Sequence, residues 1–206
     1  MDLVNQRKWD SAARAYDFMN SFGTERRWAP FKRKLFGLMQ GKVLFVAIGT
    51  GLDIQFFPPG QDIVAIDISP GMLKKARVRS GVYSGSLTLR LADVHDATEW
   101  DERFDQVFTS CTFCSVPNPI EGLKSLRRIL TPGGELHMFE HTASRYYPFR
   151  TMLALMSPLV RQVGPELNRE TVENVKRAGF DVKAVDYVYL DVVKMIHAVP
   201  SPSLTD

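Results

Sequence analysis

The sequence has little cysteine, little histidine and no long apolar run among its 206 residues. No stretch approaches the roughly 20 apolar residues that cross a bilayer, and the first residues, MDLVNQRKWD, lack the apolar core of a secretory signal. Two cysteines cannot close a zinc site alone, and the four histidines show no paired ligand spacing. Neither a membrane-spanning segment nor a metal site is therefore predicted.

The two cysteines, Cys111 and Cys114, form a C-x-x-C pattern within SCTFC. A thioredoxin-like redox motif is one interpretation of that spacing. The interpretation we favour is two small buried thiols, because free cysteine is among the most buried residue types.

The stretch VLFVAIGTG lacks the full glycine pattern of a dinucleotide-binding loop. Ala47 stands first, Gly49 and Gly51 follow, and an isoleucine occupies the last glycine position. No Lys-Ser or Lys-Thr follows, which excludes a P-loop. Asp53 adds a negative charge near the expected start of the next helix, where a pyrophosphate would otherwise bind. The loop therefore predicts a ligand that approaches the backbone closely and brings little negative charge.

Positive charge is concentrated at the N-terminus although the net charge is only +3. Residues 1–42 hold nine basic and four acidic residues, whereas the remainder holds 17 basic and 19 acidic residues. Apolar residues recur at helical spacing between Trp9 and Met19, and RRWAPFKRKLFGLM interleaves aromatic with basic residues. One interpretation is a helical cap with a solvated basic face. The other is a helix on an anionic membrane surface.

From residue 41 onward, short apolar runs alternate with helical segments, which predicts an α/β, Rossmann-like doubly wound parallel sheet. The expected strands are 42–48, 62–68, 86–94, 104–110, 135–141, 181–190 and 192–199, with Thr131–Gly134 as a turn. The expected helices are 71–79, 119–130 and one capped by Asn168 that ends at Gly179. The domain organisation is an N-terminal helical extension (1–40), a ligand-binding domain (41–199) and a disordered tail (200–206).

Several polar or glycine residues fall just after predicted strands, where open α/β sheets bind ligands. Gly49 and Gly51 follow strand one, Asp67 ends strand two, Asp93 ends strand three and Ser110 ends strand four. Each acid alone could cap the next helix or turn. Their ordered occurrence favours a shared ligand site.

With these pieces in order, the chain resembles the class I S-adenosylmethionine-dependent methyltransferases. The matching segments are VLFVAIGTG, IDISPGMLKKA, LADVHD, FDQVFTSCTFCSVPNP and LTPGGELHMFEH. The resemblance implies the seven-stranded fold of that family and S-adenosylmethionine as cofactor, whose sulfonium and absent phosphate suit an acid-bearing loop. The chain departs from the family pattern at Phe45, where an acidic residue is usual, and at Ala47, where glycine is usual.

The resemblance also implies roles for individual residues. Asp67 would hold the ribose, Met72 would flank the adenine, and Asp93 with the Val94 backbone would contact the adenine edge. The backbone near Ala47, Gly49 and Ser110 would hold the methionine end. The full predicted cofactor set is Ala47, Ile48, Gly49, Gly51, Asp67, Ile68, Met72, Asp93, Val94, Ser110 and Cys111.

For the methyl acceptor, the chain looks most like the soluble bacterial phospholipid N-methyltransferases, which act on phosphatidylethanolamine. It is also similar to membrane-associated thiol methyltransferases through FFPPG, CSVPNP and ELNRETVENVKRAGF, and to quinone-precursor methyltransferases through Tyr16–Asn20. SCTFC lacks the Pro-Pro-aromatic motif of nucleic-acid amino methyltransferases, so no nucleic-acid partner is expected. The leading expectation is N-methylation of phosphatidylethanolamine, and the alternative is a thiol or quinone-precursor acceptor. A dinucleotide-binding or non-catalytic domain is the competing class.

An ethanolamine amine must lose a proton before it is methylated, at a cost of about 4 kcal/mol near neutral pH. His141, which follows Glu140 at the end of strand five, is the expected proton acceptor. Aromatic faces that would hold the resulting cation are Tyr16, Tyr146 and Tyr147. Arg145 and Arg150 are the expected contacts of the lipid phosphate.

The segment after strand five, YYPFRTMLALMSPLV, is apolar and is either a core helix or a shelter for acyl chains. Together with the basic N-terminal region, it predicts a cytoplasmic enzyme that binds the inner face of an anionic membrane.

Overall fold

The computed structural model describes residues 2–20, 24–148, 150–152, 155, 166 and 168–202. The strands are β1 (Lys42–Val46), β2 (Asp62–Asp67), β3 (Ser86–Leu91), β4 (Phe104–Ser110), β5 (Leu130–His141), β6 (Phe180–Tyr189) and β7 (Val193–Pro200). The helices are α1 (Leu3–Asn20), α2 (Thr24–Phe36), α3 (Pro70–Ser80), α4 (Pro119–Ile129) and α5 (Thr171–Arg177). Within these ranges, no helix is both long and apolar enough to cross a membrane.

The seven strands form one sheet in the order β3-β2-β1-β4-β5-β7-β6. Strands β1 to β5 pair in parallel, and β7 runs antiparallel to both β5 and β6. The predicted doubly wound, seven-stranded fold is thereby confirmed. Because the chain leaves β1 toward one edge and returns at β4 on its other side, a crevice opens beyond the carboxyl ends of these strands.

The central strands are buried on both faces, as expected for parallel strands covered by helices. Successive residues of β1 contribute to opposite clusters, Leu44 to the side covered by α4 and Phe45 to the side covered by α2 and α3. Phe45 is 1% exposed, and its ring lies 5.5 Å from Phe36 and 4.9 Å from Phe57. An acidic residue at this position would lose its hydration without gaining a partner, which accounts for the departure at Phe45.

The N-terminal extension packs on the domain. Leu35 and Phe36 of α2 are 4% and 0% exposed and belong to the same core cluster as β1. Helix α1 lies against α3. Apolar faces of both helices are therefore used for packing inside the protein.

Some element boundaries differ from the sequence prediction. The expected turn Thr131–Gly134 is part of β5, where the ladder with β4 is irregular between Phe104 and Gln106. Helix α5 is preceded by Glu170 as its cap residue rather than by Asn168. The tail prediction was wrong at its start, since β7 includes Pro200 and the Ser201 N–H donates to the Gly179 carbonyl at 2.9 Å. Residues 203–206 lie outside the described residues.

Candidate active site

A cleft lies at the carboxyl ends of β1 to β4 and is covered on one side by α1. It is lined by Asn5, Trp9, Tyr16, Val46, Ala47, Gly49, Ile66, Asp67, Ile68, Met72, Ala92, Asp93, Val94, His95, Ser110, Cys111, Thr112, Ser115, Val116 and Pro117. Nine of the eleven predicted cofactor residues are in this lining, together with Tyr16. We call it the cofactor cleft.

The loop after β1 forms one wall of the cofactor cleft with a strained backbone. Ala47 and Gly49 have φ values of 58° and 59°, in the left-handed region that favours glycine. A Cβ added at Gly49 would meet nothing within 4 Å, so this glycine leaves open space next to the chain. Ala47 adopts the same conformation with a methyl group, at a cost of about 1–2 kcal/mol.

Two predicted cofactor residues of this loop, Ile48 and Gly51, are not in the described lining of the cleft. Ile48 is 4% exposed and packs in the core. A Cβ at Gly51 would lie 3.0 Å from the Ala76 Cα, so this glycine permits the close approach of α3. Both residues therefore lie on the side of the loop that faces the protein interior, away from the cleft.

Asp67 ends β2 at the floor of the cofactor cleft and is 6% exposed. One carboxylate oxygen accepts a hydrogen bond from the Gly49 N–H at 2.8 Å, and the other accepts from the Ser69 N–H at 2.9 Å. Burial raises the pKa of Asp67 to about 6, although these hydrogen bonds favour the ionised form. The carboxylate is thus fixed in position, with lone pairs remaining for a ligand's hydroxyl groups.

Asp93 follows β3 and forms a pair with His95, which is also in the cleft lining. His95 Nδ1 lies 2.7 Å from one Asp93 oxygen, and the other oxygen accepts from the Asp2 N–H at 2.8 Å. Burial would raise the pKa of Asp93, but the hydrogen bonds from His95 and Asp2 outweigh it and lower the pKa. Asp93 is therefore an anion that orients the neighbouring imidazole.

The loop after β4 is held from behind by Glu140, which is fully buried. Its carboxylate accepts hydrogen bonds from Thr109 Oγ1 at 2.7 Å and from the N–H groups of Thr112 and Phe113 at 3.1 Å each. Burial raises the pKa of Glu140 to about 7. Cys111, in the same loop, has a φ of 52°. Glu140 therefore fixes a strained segment of the cleft wall.

The cysteine prediction was right for one thiol only. Cys114 is 2% exposed, whereas Cys111 is exposed in the cleft. Burial raises the pKa of the Cys114 thiol, and its Sγ donates to the Cys111 carbonyl at 3.3 Å. Cys111 and Cys114 do not form a disulfide with each other.

Helix α1 is fastened over the cofactor cleft by two aspartates. Asp10 Oδ1 accepts from the Gly71 N–H at 2.6 Å and from Ser69 Oγ at 3.0 Å, at the N-terminus of α3. Asp17 accepts from Thr50 Oγ1 at 2.7 Å and pairs with Lys75 and Arg79 at 3.2 and 3.1 Å. These contacts place Trp9 and Tyr16 in the cleft, with ring centroids 6.4 Å apart.

The prediction that the charge of Asp53 disfavours an anionic ligand in the cleft was wrong in its detail. Asp53 is 8% exposed and pairs with the buried Lys32 Nζ at 2.6 Å, so its charge is compensated inside the protein. The acidic character of the site comes instead from Asp67 and Asp93. Among the described lining residues there is no lysine or arginine. Such a donor set fits a cationic adenosine derivative and disfavours a pyrophosphate.

A protein-family model described as a methyltransferase domain matches residues 44–138. The UbiE C-methyltransferase of ubiquinone/menaquinone biosynthesis from Geotalea daltonii is 32% identical over 155 residues, which cover 70% of this chain and 66% of that protein. Its counterpart from Geotalea uraniireducens is 30% identical over 71% of this chain and 67% of that protein. The human thiol S-methyltransferase TMT1B is 29% identical over 76% of this chain and 70% of that protein.

Solved structures share the fold. The DhpI complex with SAH has a TM-score of 0.67 at 22% identity and covers 97% of both chains. A Haloferax volcanii putative methyltransferase, solved with its Trm112 activator, has a TM-score of 0.68 at 16% identity and covers 94% of this chain and 97% of that one. The chain belongs to the class I S-adenosylmethionine-dependent methyltransferases. S-adenosylmethionine is its cofactor.

This methyltransferase spans just under two thirds of the Geotalea daltonii relative. The predicted similarity to phospholipid N-methyltransferases is not shown by these relatives. Their names describe quinone C-methylation and thiol S-methylation.

The predicted acceptor residues of the methyltransferase are not among the described lining residues of the cofactor cleft, apart from Tyr16. Tyr146 and Tyr147 are 69% and 84% exposed. Arg150 lies 3.8 Å from the Glu170 carboxylate, and the Arg145 N–H donates to Asp191. Much of the segment 146–160 lies outside the described residues, so these assignments stay predictions.

His141 is partly buried at the end of β5. Burial lowers its pKa and the charge of Lys194 lowers it further, so the imidazole is neutral near pH 7. Its Nδ1 atom is buried and forms no hydrogen bond with the described residues. The neighbouring Glu140 carboxylate accepts its hydrogen bonds from Thr109 and from the loop after β4.

Sequence reasoning missed Trp9, His95 and Thr112 as parts of the cleft. Trp9 had a signal, since it shares a helical face with Tyr16. His95 follows Asp93 by two residues in the segment LADVHD. Thr112 carried no separate signal, because a threonine two residues beyond a strand is common in any loop.

Proposed function

We propose that the protein transfers a methyl group from S-adenosylmethionine to a small lipophilic acceptor, with a quinone precursor as the first candidate and an alkyl thiol as the second. The observation that carries this proposal is the similarity to proteins named as quinone C-methyltransferases and as a thiol S-methyltransferase. The acid-lined cofactor cleft supports the methyltransferase chemistry.

When bound, the cofactor supplies an electrophilic methyl group on a positively charged sulfur. In this proposal Asp67 accepts hydrogen bonds from the ribose hydroxyls, while Met72 and Ile68 pack beside the adenine. Asp93 and the Val94 backbone contact the adenine edge. Backbone groups of the strained loops at Ala47, Gly49, Ser110 and Cys111 hold the methionine end.

The cost of ionising the acceptor favours the thiol over a lipid amine. An alkyl thiol resembles cysteine, so its deprotonation near neutral pH costs about 2 kcal/mol, against about 4 kcal/mol for a lipid amine. The rings of Trp9 and Tyr16 line the cleft, where they would limit the access of water to a bound acceptor. A thiolate then needs positioning more than a strong base, whereas a quinol hydroxyl, which resembles tyrosine, costs about 4 kcal/mol to ionise and needs a proton acceptor. His141 as proton acceptor remains a prediction.

Exposed apolar side chains favour a lipophilic acceptor of either kind. Tyr146, Tyr147, Met152 and Leu155 are 69%, 84%, 47% and 75% exposed in the segment after β5. Such a patch suits an isoprenoid or alkyl chain delivered from a lipid surface. Methylation of phosphatidylethanolamine and binding to an anionic membrane through the N-terminal region remain the alternative hypothesis.

The test is a competition between acceptor classes. The purified protein is incubated with methyl-labelled S-adenosylmethionine and, separately, a demethylated quinol, an alkyl thiol and phosphatidylethanolamine vesicles, and the products are identified by mass spectrometry. Asp67→Ala serves as the cofactor-deficient control. Label in the quinol or thiol supports the proposal. Label only in mono-, di- or trimethylated lipid overturns it in favour of the phospholipid hypothesis.

A further inference from the structure

Three ligand-type side chains meet on the sheet away from the cofactor cleft. Glu135 and His137 lie two residues apart on β5 and so point to the same face, and His197 of β7 is directly paired with His137. The three line a groove whose opposite wall is formed by Lys34, Leu35 and other residues near α2. We call Glu135, His137 and His197 the imidazole cluster.

The geometry of the imidazole cluster brings both Nε2 atoms to one carboxylate. His137 Nε2 lies 2.9 Å from Glu135 Oε2, and His197 Nε2 lies 3.3 Å from Glu135 Oε1. The two rings are parallel, with an interplanar angle of 1° and centroids 4.7 Å apart. One ligand atom from each residue can be chosen so that all three lie within 4.8 Å of one another.

The immediate surroundings hold these groups in place. His137 is 3% exposed, and its ring stacks on Phe108 with centroids 4.7 Å apart. Gln106 Nε2 donates to Glu135 Oε2 at 3.2 Å, as expected of an outer partner that orients a ligating carboxylate. His197 Nε2 is a buried atom that forms no hydrogen bond among the described residues, although it lies 3.3 Å from Glu135 Oε1. A buried nitrogen without a hydrogen bond is costly unless something else satisfies it.

We propose that the imidazole cluster binds a divalent transition metal, Zn²⁺ in particular, through one carboxylate and two imidazole nitrogens. Neighbouring ligands in a tetrahedral shell with bonds of about 2.1 Å are about 3.4 Å apart, close to the two observed nitrogen–oxygen distances. Imidazole ligands select zinc, copper or nickel over calcium and magnesium. Rotation of His197, the more exposed imidazole, brings the third ligand into the shell.

This metal would tie β5 to β7 at the groove beside α2, apart from the cofactor cleft. It would bind the folded chain preferentially, because the pairing of β5 with β7 is what assembles the ligands. Metal binding would therefore stabilise the fold in proportion to the free metal concentration. The sequence predicts no such site, because the two histidines are far apart along the chain and meet only through antiparallel pairing.

The experiment uses the full chain without an affinity tag, treated with a chelator and dialysed. Zn²⁺ binding is measured by calorimetry, and Co²⁺ binding is followed through its visible absorption, which reports nitrogen ligation and tetrahedral geometry. His197→Ala and Glu135→Gln remove ligands. His95→Ala is the matched control, because it removes an imidazole from a different carboxylate pair.

We expect one Zn²⁺ per chain, a tetrahedral Co²⁺ spectrum and a raised melting temperature with Zn²⁺. His197→Ala should lower the affinity by on the order of 100-fold, since even outer-shell changes cost 10–100-fold. Its melting temperature without metal and its cofactor binding should stay near wild type. The proposal is overturned if Zn²⁺ fails to bind the wild type, or if His197→Ala binds it as well as His95→Ala does.

Discussion

The cofactor cleft and the imidazole cluster are built in opposite ways. The cleft collects residues from the loops that directly follow β1, β2, β3 and β4, so its parts appear in chain order as short motifs. The imidazole cluster depends on the antiparallel pairing of β5 with β7, which places His137 beside His197. The parallel part of the sheet can therefore be recognised from sequence motifs, whereas the cross-strand neighbours on β5 and β7 cannot.

The largest expected effect concerns Glu140, which supports the cleft from β5 and thus links the two regions. Its pKa is raised to about 7, above the usual value of 4.5, because it is buried. The folded state therefore binds the proton more tightly, and the associated stabilisation is complete below about pH 4.5 and lost as the pH rises to about 7. This contribution amounts to at most about 3 kcal/mol.

Glu140→Gln should remove that part of the pH dependence. The free energy of unfolding, measured by urea denaturation at several pH values between 4.5 and 8, should fall less with rising pH in the variant than in the wild type. Glu173→Gln, on the exposed side of α5, is the control and should keep the wild-type slope. Parallel slopes in wild type and Glu140→Gln would contradict the prediction.

The second effect tests whether the cleft acts independently of the imidazole cluster. Asp67→Ala removes the buried carboxylate at the end of β2 and should weaken binding of S-adenosylhomocysteine by about 2 kcal/mol, roughly 30-fold, as expected for hydrogen bonds to a charged group. Calorimetry measures the affinity, and Zn²⁺ binding should not change. Asp62→Ala, at the exposed opposite end of the same strand, is the control. Equal cofactor affinity in the two variants would refute the assigned role.

A smaller effect is expected when a contact that holds α1 is removed. Helix α1 lines the cleft but is not one of the loops that follow β1 to β4. Asp10→Ala removes the acceptor for the Gly71 N–H and Ser69 Oγ, a loss of about 1 kcal/mol comparable to that of a helix cap. Amide hydrogen exchange in α1 should become faster, and cofactor affinity should fall severalfold. Arg7→Ala, on the exposed surface of α1, should change neither quantity. Unchanged exchange in Asp10→Ala would show that α1 is held by other contacts.

The smallest effect is expected at Ala47, whose φ of 58° suits glycine. Ala47→Gly relieves about 1–2 kcal/mol of backbone strain and loses about 0.5–1 kcal/mol through the greater entropy of the unfolded chain. The net change should be a stabilisation of about 0–1.5 kcal/mol, visible as a slightly higher melting temperature. A clear loss of stability would mean that the Ala47 methyl group contributes packing that outweighs the strain.

The sequence was sufficient to predict the sheet and most of the residues that line the cofactor cleft. Strand periodicity and the motif after each strand are local properties of the chain. The sequence did not predict the ion pair between Asp53 and Lys32, because nothing in it links the helix that carries Lys32 to that loop. Membrane binding by the basic N-terminal region stays a prediction, but the sequence did not reveal that the acids Asp10 and Asp17 hold α1 on the domain. Such pairings depend on how helices pack, which residue spacing does not encode.

The contact between the Asp2 N–H and Asp93 has a consequence for affinity. The Asp93 oxygen that an adenine amino group would contact already accepts one hydrogen bond from the chain's own backbone, which leaves one lone pair. An incoming purine would therefore share this oxygen with the Asp2 N–H, and its hydrogen bond would add less than one to an acceptor without a partner. Tight retention would have to come from stacking and from the ribose, so nucleosides with an altered amino group should be discriminated only weakly.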